Sequence, residues 1–359
     1  MFPSLDLLKI VASIGVIILH LNNPDNGNAL GMAVASENWG ASTLLIVLEC
    51  CSISAVNIFL IISGFFLSKS KKRRVSKIIY MFVLCSGMSV ICYVLKGLLF
   101  SQDIFWNELM LRTIPNNYYI TLYSVLYYIS PLINRALEGM DYKRLLNVII
   151  QLVFIFAGVP TILAFIDENT GVFFNGLCTI GSGGSQSGYT IVNFMLMYCL
   201  GFTLRKLYDL GHNLKLRYSI LLYDVSVVSI FIWEYRYFLK TQNMWSYALA
   251  YCNIFVVLEA VSLFYVFLAL PDIWSKKDTL VRIISDFAKS SLVAYLFHSF
   301  LISFIPIKTV IENHNSAISI LILLLECVAI YFACFILWKI ISLIRNYINI
   351  NVKTKSIGE

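Results

Sequence analysis

The sequence predicts an all-α integral membrane protein of about ten transmembrane helices, with both termini in the cytoplasm. Three observations predict it. The 359-residue chain is 59% hydrophobic and 13% charged, and its mean hydropathy of +0.79 lies well above that of soluble domains. Its apolar residues gather in runs of about 20, the length a helix needs to cross the hydrocarbon of a bilayer. The polar connections between those runs alternate in Lys and Arg content.

The runs fall near 4–21, 44–67, 78–100, 116–134, 146–166, 190–204, 218–236, 247–270, 284–306 and 317–344. The first is long, polar-striped and without a small-residue cleavage site, so it reads as a retained membrane helix rather than a signal peptide. Connections after the even-numbered runs, together with the tail, hold 20 Lys and Arg; six of them lie between Lys69 and Lys77. The opposite side carries four, namely Arg112, Arg236, Lys240 and Lys308. The positive-inside rule then puts both termini in the cytoplasm, and the net charge of +7 belongs to topology rather than to nucleic acid. Residues 1–345 read as one polytopic domain and 346–359 as a short cytoplasmic tail. The 21 Tyr and 25 Phe suit interfacial aromatic belts.

Other features narrow the function. The nine cysteines lie mostly inside apolar runs and show no metal spacing, so no metal is expected and they read as small buried hydrophobes. The stretch GSGGSQSG at 181–188 lacks the Gly-Lys-Ser/Thr of a phosphate loop and reads as a flexible connection. No internal repeat and no matched pair of interrupted helices is present, so the usual signature of a transporter is missing.

The first run carries the chemistry. SLDLLKIVASIGVIILHL, residues 4–21, is apolar yet holds Asp6, Lys9, Ser13 and His20. At about 100° per residue, Lys9 and His20 fall about 20° apart around a helix and roughly 16 Å apart along it. The polar residues thus form one stripe. Ionisable groups at bilayer depth cost about 2.5–3.5 kcal/mol on insertion scales and face a cavity, a partner or a pathway. A basic flank at one end with an interfacial histidine at the other is the plainer alternative. Asp6 pairs naturally with Lys9 at i, i+3 and is about 20 Å from His20, too far to orient its imidazole. A carboxylate for His20 must come from another helix: Glu49 is best placed, Glu234 next, while Glu259 and Glu326 lie nearer mid-membrane. His298, in SLVAYLFHSF, sits at a depth similar to His20 and reads either as a packing residue or as its companion.

Four ordered stretches resemble the family-three membrane acyltransferases, bacterial proteins that O-acetylate surface glycans. LDLLKIVASIGVIILH at 5–20 resembles the family's basic residue, ten positions, then histidine, with Lys9 in place of the commoner arginine. NIFLIISGFFLS at 57–68 resembles its Phe-x-x-Ser-Gly-Phe/Tyr signature, with three residues rather than two between Phe59 and Ser63. RRVSKII at 73–79 resembles its Arg-x-x-Arg stretch, with Lys77 in the last position. NNYYITLYSVLYYISPLIN at 116–134 resembles an aromatic run leading to a Ser-Pro turn, and YLFH at 295–298 a late tyrosine-to-histidine pattern. Lysine in place of arginine at positions 9 and 77 removes the bidentate phosphate fork.

The resemblance implies a multi-pass enzyme of the bacterial plasma membrane. It implies acetyl-CoA as acyl donor, held from the cytoplasm by Arg74, Lys77 and Lys9. A glycan hydroxyl, free or lipid-linked, would be the acceptor. His20 would act as general base or transient acyl carrier, with Glu49 and His298 as further catalytic candidates. Ser63 precedes a glycine at the cytoplasmic end and reads as close helix packing before it reads as a nucleophile. A non-enzymatic glycan or lipid transporter is the alternative that shares the topology.

Overall fold

The computed structural model describes residues 2–70, 73–101, 103–172, 174, 179–181, 183–270 and 278–355. Lys71, Lys72, Lys276 and Lys277 of the basic loops, together with Cys178 and Ser182, lie outside the described residues, as do the side chains of Lys353 and Lys355. No strand occurs among the described residues.

All ten expected runs fall on helices. Helix α1 spans Pro3–Asn22, with proline in its first turn where its missing N–H costs nothing. A short α2 (Ala29–Ala35) leads to α3 (Trp39–Ser52), whose first turn is capped by the Asn38 side chain accepting from the Ala41 N–H at 3.1 Å. A break at Ile53 and Ser54 separates α3 from α4 (Ala55–Leu67), yet Trp39–Leu67 is long enough to cross a bilayer as one unit. Then follow α5 (Val75–Phe100), α6 (Trp106–Arg112) and α7 (Tyr118–Glu138). Helices α8 (Tyr142–Val153) and α9 (Val159–Thr170) are joined by one wide turn, Phe154–Gly158, just before Pro160. Proline offers no N–H to the preceding turn, so the regular ladder opens there. The chain continues through α10 (Ile191–Asp209), α11 (Leu216–Thr241) and α12 (Ile254–Leu268). It ends with α13 (Asp278–Lys289), α14 (Ser291–Ile302), α15 (Ile307–Asn313) and α16 (Ser316–Lys355), the last running on beyond residue 345.

Seven stretches among the described residues are long and apolar enough to span, and α14 with α15, bent by 66°, makes an eighth if the pair is counted as one broken span rather than a re-entrant loop. The other two expected spans, α7 and α10, have 21 and 19 residues and turn polar groups inward. Tyr198 donates to Asn134 Oδ1 at 2.8 Å, and Asn193 donates to Asn57 Oδ1 at 3.2 Å. Polar side chains are tolerated there because they find partners inside the bundle. The outer helices α5, α11 and α16 instead present Val83, Ile232 and Leu325 outward, as lipid-facing helices do.

Two features position the site. Helices α4 and α10 cross on bare backbone: a Cβ on Gly64 would lie 2.1 Å from the Tyr198 carbonyl, and one on Gly201 2.1 Å from that of Ile61. Gly64 therefore serves close packing, whereas Ser63 before it lines the cavity beside Lys9. The second feature corrects an expectation. Ser130–Pro131 makes no turn; it lies inside α7, which continues to Glu138. Pro131 frees the carbonyl of Tyr127 one turn earlier, and two donors replace the lost N–H: Ser130 Oγ at 2.8 Å and Arg73 Nε at 3.2 Å.

Candidate functional site

Helix α1 is the spine of the site. Its lower end carries the expected pair, with Lys9 Nζ 2.8 Å from Asp6 Oδ1. Above it, Ser13 Oγ donates to the Lys9 carbonyl at 2.8 Å. A cavity of about 220 Å³ opens beside Lys9 and is also lined by Lys77, Ser63, Tyr119, Tyr123 and Tyr295. Lys77 Nζ sits 4.9 Å from the centre of the Tyr127 ring and 5.5 Å from that of Tyr123. Two of the three expected donor-side cations thus share one cavity. The third, Arg74, is exposed at the start of α5, where its backbone N–H donates to the Tyr127 hydroxyl at 3.0 Å, and it does not line that cavity.

Arg73 has a different task from its neighbours. Its guanidinium donates to the carbonyls of Ser70, Leu67 and Tyr127 and to Ser130 Oγ, and it stacks on Tyr127. The residue ties the end of α4 to α7. Sequence alone made it one of a run of basic residues, because nothing local marks which member of the run turns inward.

At the other end of α1, His20 meets His298. The ring centroids are 4.6 Å apart with an interplanar angle of 63°. His298 is buried on α14, where its Nδ1–H donates to the Ala294 carbonyl at 2.7 Å. That bond leaves the Nε2 lone pair free of the backbone, with Ser299 Oγ 3.3 Å away. Asn26 Nδ2, a donor that also reaches Asn23 Oδ1 at 3.4 Å, lies 3.3 Å from His20 Nδ1; turning the amide over puts its oxygen there and holds the ring proton on Nδ1. His20 Nε2 makes no hydrogen bond to a described residue. Both histidines line a cavity of about 670 Å³ together with Tyr295, Asn117 and Ser299. Tyr295 lines the lower cavity too, and its hydroxyl donates to Asn117 Oδ1 at 3.1 Å. One tyrosine, three residues before His298 on the same helix, therefore stands between the two spaces.

Glu49 is near but does not touch His20. Both line a third cavity of about 150 Å³. Asn22 Nδ2 donates to Glu49 Oε2 at 3.0 Å, and the buried Oε1 has no partner among the described residues. Glu234 is occupied otherwise: it accepts from the backbone N–H groups of Trp245 and Ser246 and from the Ser246 hydroxyl, fixing the loop before α12. Glu259 accepts from Ser54 Oγ at 2.8 Å, and Glu326 is half-buried on α16.

The described part of the 181–188 stretch departs from the expected flexible connection. Gln186–Gly188 makes one tight turn, and Ser187 accepts from the Tyr251 N–H at 2.9 Å. Gly188 has φ +86°, and a Cβ there would come 2.7 Å from the Cys252 nitrogen. Only glycine fits that close approach in that conformation. Ser187 and Tyr189 then wall the third cavity beside His20. Among the described residues no group of three or more His, Cys, Asp or Glu is arranged to hold a metal, and the eight described cysteines are free, six of them buried.

Residues 2–339 match the family described as an acyltransferase domain, nearly the whole chain. No curated protein and no solved structure matches.

Proposed function

From its membership of the family-three acyltransferases, a membership that rests on a match across residues 2–339, we propose that this multi-pass membrane acyltransferase moves an acetyl group from cytoplasmic acetyl-CoA to a hydroxyl of a cell-envelope, capsular or exopolysaccharide glycan. Both termini lie in the cytoplasm of a bacterial cell, as the 20-to-4 division of loop Lys and Arg supports. The observation that carries the reading is one continuous arrangement along α1. Lys9 and Lys77 line a cavity at one end, the His20–His298 pair lines another about 16 Å further along the helix, and Tyr295 borders both.

In this reading Lys77 and Lys9, with Arg74 outside, hold donor phosphates, and the thioester arm follows the tyrosine-lined space upward. An acceptor hydroxyl oxygen attacks the thioester carbonyl carbon while its proton passes to His20 Nε2. The C–S bond then breaks, the acetyl group stays on the acceptor oxygen, and the thiolate takes the proton back from the His20 imidazolium and leaves as free CoA. His298, fixed by the Ala294 carbonyl, holds the His20 ring in place. Glu49, across the small cavity, offers its unpartnered Oε1 through water to the His20 imidazolium while the ring carries the proton.

The test is His20→Ala beside His20→Gln, each checked for expression and membrane insertion, with glycan O-acetyl content read by proton NMR. A general base contributes about 10²–10⁴-fold in rate, so both variants lose all but a trace of acetylation. Near-normal acetylation in both removes His20 from the chemistry. Thiol labelling of cysteines placed at position 70 and in the 183–188 turn reads the orientation in intact cells; labelling of position 70 from outside reverses it.

A further inference from the structure

The large cavity around His20 and His298 has a charge pattern that the transfer chemistry does not use. One face of α5, read through Cys85, Ser89, Cys92 and Lys96 at helical spacing, forms part of its wall. Arg112, from the last turn of α6, closes on the same wall, with its guanidinium 5.2 Å from the centre of the Tyr93 ring. Among the described residues, no Asp or Glu lines this cavity. Neither Lys96 nor Arg112 makes an ion pair with a described residue, whereas Lys9, Lys69, Arg205, Lys289, Lys308 and Lys339 all do. Two cations are thus gathered without a counter-charge in the space that holds the histidine pair. The remaining polar lining is neutral and suits a sugar: amides of Asn26, Asn116 and Asn117 and the hydroxyl of Ser299.

We propose that the acceptor is anionic: it presents an oxyanion, a carboxylate or a phosphate, to Lys96 and Arg112 while its hydroxyl faces His20. This inference rests on the acyl-transfer reading for the meaning of the cavity, but the anion site is measurable without turnover. A guanidinium takes either oxyanion in a bidentate fork, and a lysine adds a second point of charge. A cleft lined by charge of one sign raises the local concentration of the opposite sign about tenfold or more.

Cys92, half-buried on the same wall, is the reporter. The full chain in nanodiscs is treated with an anionic (sulfonatoethyl) or a cationic (trimethylammonioethyl) methanethiosulfonate. Modification of Cys92 is followed by peptide mass spectrometry, and each rate is normalised to that reagent's reaction with mercaptoethanol. The normalised anionic rate exceeds the cationic one by about tenfold in the native protein and by less than twofold in K96Q/R112Q. Millimolar glucuronate or glucose 1-phosphate slows the labelling, and glucose does not. Protection by glucuronate alone identifies an acidic sugar, and protection by glucose 1-phosphate alone a phosphorylated or phosphate-linked one. Protection by both identifies a general oxyanion site. Equal normalised rates, absence of protection by either anion, or a Cys92 that neither reagent reaches overturns the proposal. His20→Ala leaves the charge preference intact, so loss of the anion site and loss of the histidine mechanism are separate outcomes.

Discussion

Replacing Arg73 with alanine tests whether the basic run after α4 divides into a structural member and donor-binding members. Arg73 donates to Ser70 O at 2.7 Å, Ser130 Oγ at 2.8 Å, Tyr127 O at 3.2 Å and Leu67 O at 3.4 Å. Hydrogen bonds from a charged donor contribute about 1.5–3 kcal/mol each, so a naive sum exceeds about 6 kcal/mol. Two acceptors have a second donor, however. Asn134 Nδ2 reaches Leu67 O at 2.9 Å, and Ser130 Oγ reaches Tyr127 O at 2.8 Å. The expected loss is therefore about 3 kcal/mol, read as a fall in melting temperature of about 5 °C in detergent. Arg73→Lys keeps the charge but not the fork and falls between. Arg74→Ala, whose side chain is exposed, stays within about 1 °C. A double-mutant cycle sharpens the test. Pro131→Ala returns an N–H to the Tyr127 carbonyl, so the cost of Arg73→Ala shrinks by about 1 kcal/mol in that background. An Arg73→Ala protein that melts with the native one, or a cycle with no coupling, refutes the assignment.

Two further outcomes follow from the same geometry. Arg74→Gln with Lys77→Gln raises KM for acetyl-CoA by about tenfold, one charge-assisted contact's worth, with kcat little changed. Steady-state kinetics in proteoliposomes reads it, and an unchanged KM leaves the cluster to topology alone. His298→Gln lowers kcat by about 10²-fold with KM for acetyl-CoA unchanged and melting within a few degrees. A loss that appears only as lower melting temperature returns His298 to packing.

Much of this architecture was legible because hydropathy is a one-dimensional signal. A span needs about 20 apolar residues wherever its neighbours lie, so all ten runs emerged as helices. The Asp6–Lys9 pair was legible for the same reason, since i, i+3 neighbours are fixed by the helix itself. Expectations that depended on a partner far along the chain fared differently. Ser130–Pro131 reads as a turn because proline ends helices, whereas Ser130 Oγ and Arg73, 57 residues away from Ser130, both donate to the carbonyl that Pro131 frees and the helix runs on. GSGGSQSG reads as a flexible link because glycine is permissive, whereas Gly188 is needed to let the chain lie against Tyr251 and Cys252. Glu49 reached the wall of a cavity it shares with His20, but Asn22, two residues further along α1, took its hydrogen bond. Arg112 was visible only as one of four basic residues on its side, and Lys96 was hidden inside an apolar run.

The distribution of charge along the site has a physical reason. Cations are costly at bilayer depth, so a pathway that must hold charged partners at both ends confines them there. Lys9 and Lys77 lie at one end, Lys96 and Arg112 at the other, and the space between is bordered by Tyr119, Tyr123 and Tyr295. Tyrosine suits that middle: its ring replaces lipid-like contacts and its hydroxyl still finds a partner, as Tyr295 does in Asn117. In the proposed reading, the uncharged acetyl thioester is the part of the donor that such a passage admits, while the donor's phosphates stay with the cations at the entrance. In that reading, a base at the far end, where α1 and α14 bring two imidazoles together, makes transfer coincide with arrival of an acceptor. In the same reading, an acceptor that fills the space beside the base displaces water from the thioester and limits unproductive hydrolysis. The arrangement predicts its own control: Tyr295→Ala, which widens the border between the two cavities, raises acetyl-CoA hydrolysis in the absence of acceptor relative to transfer in its presence. An unchanged ratio means that Tyr295 does not separate the two spaces.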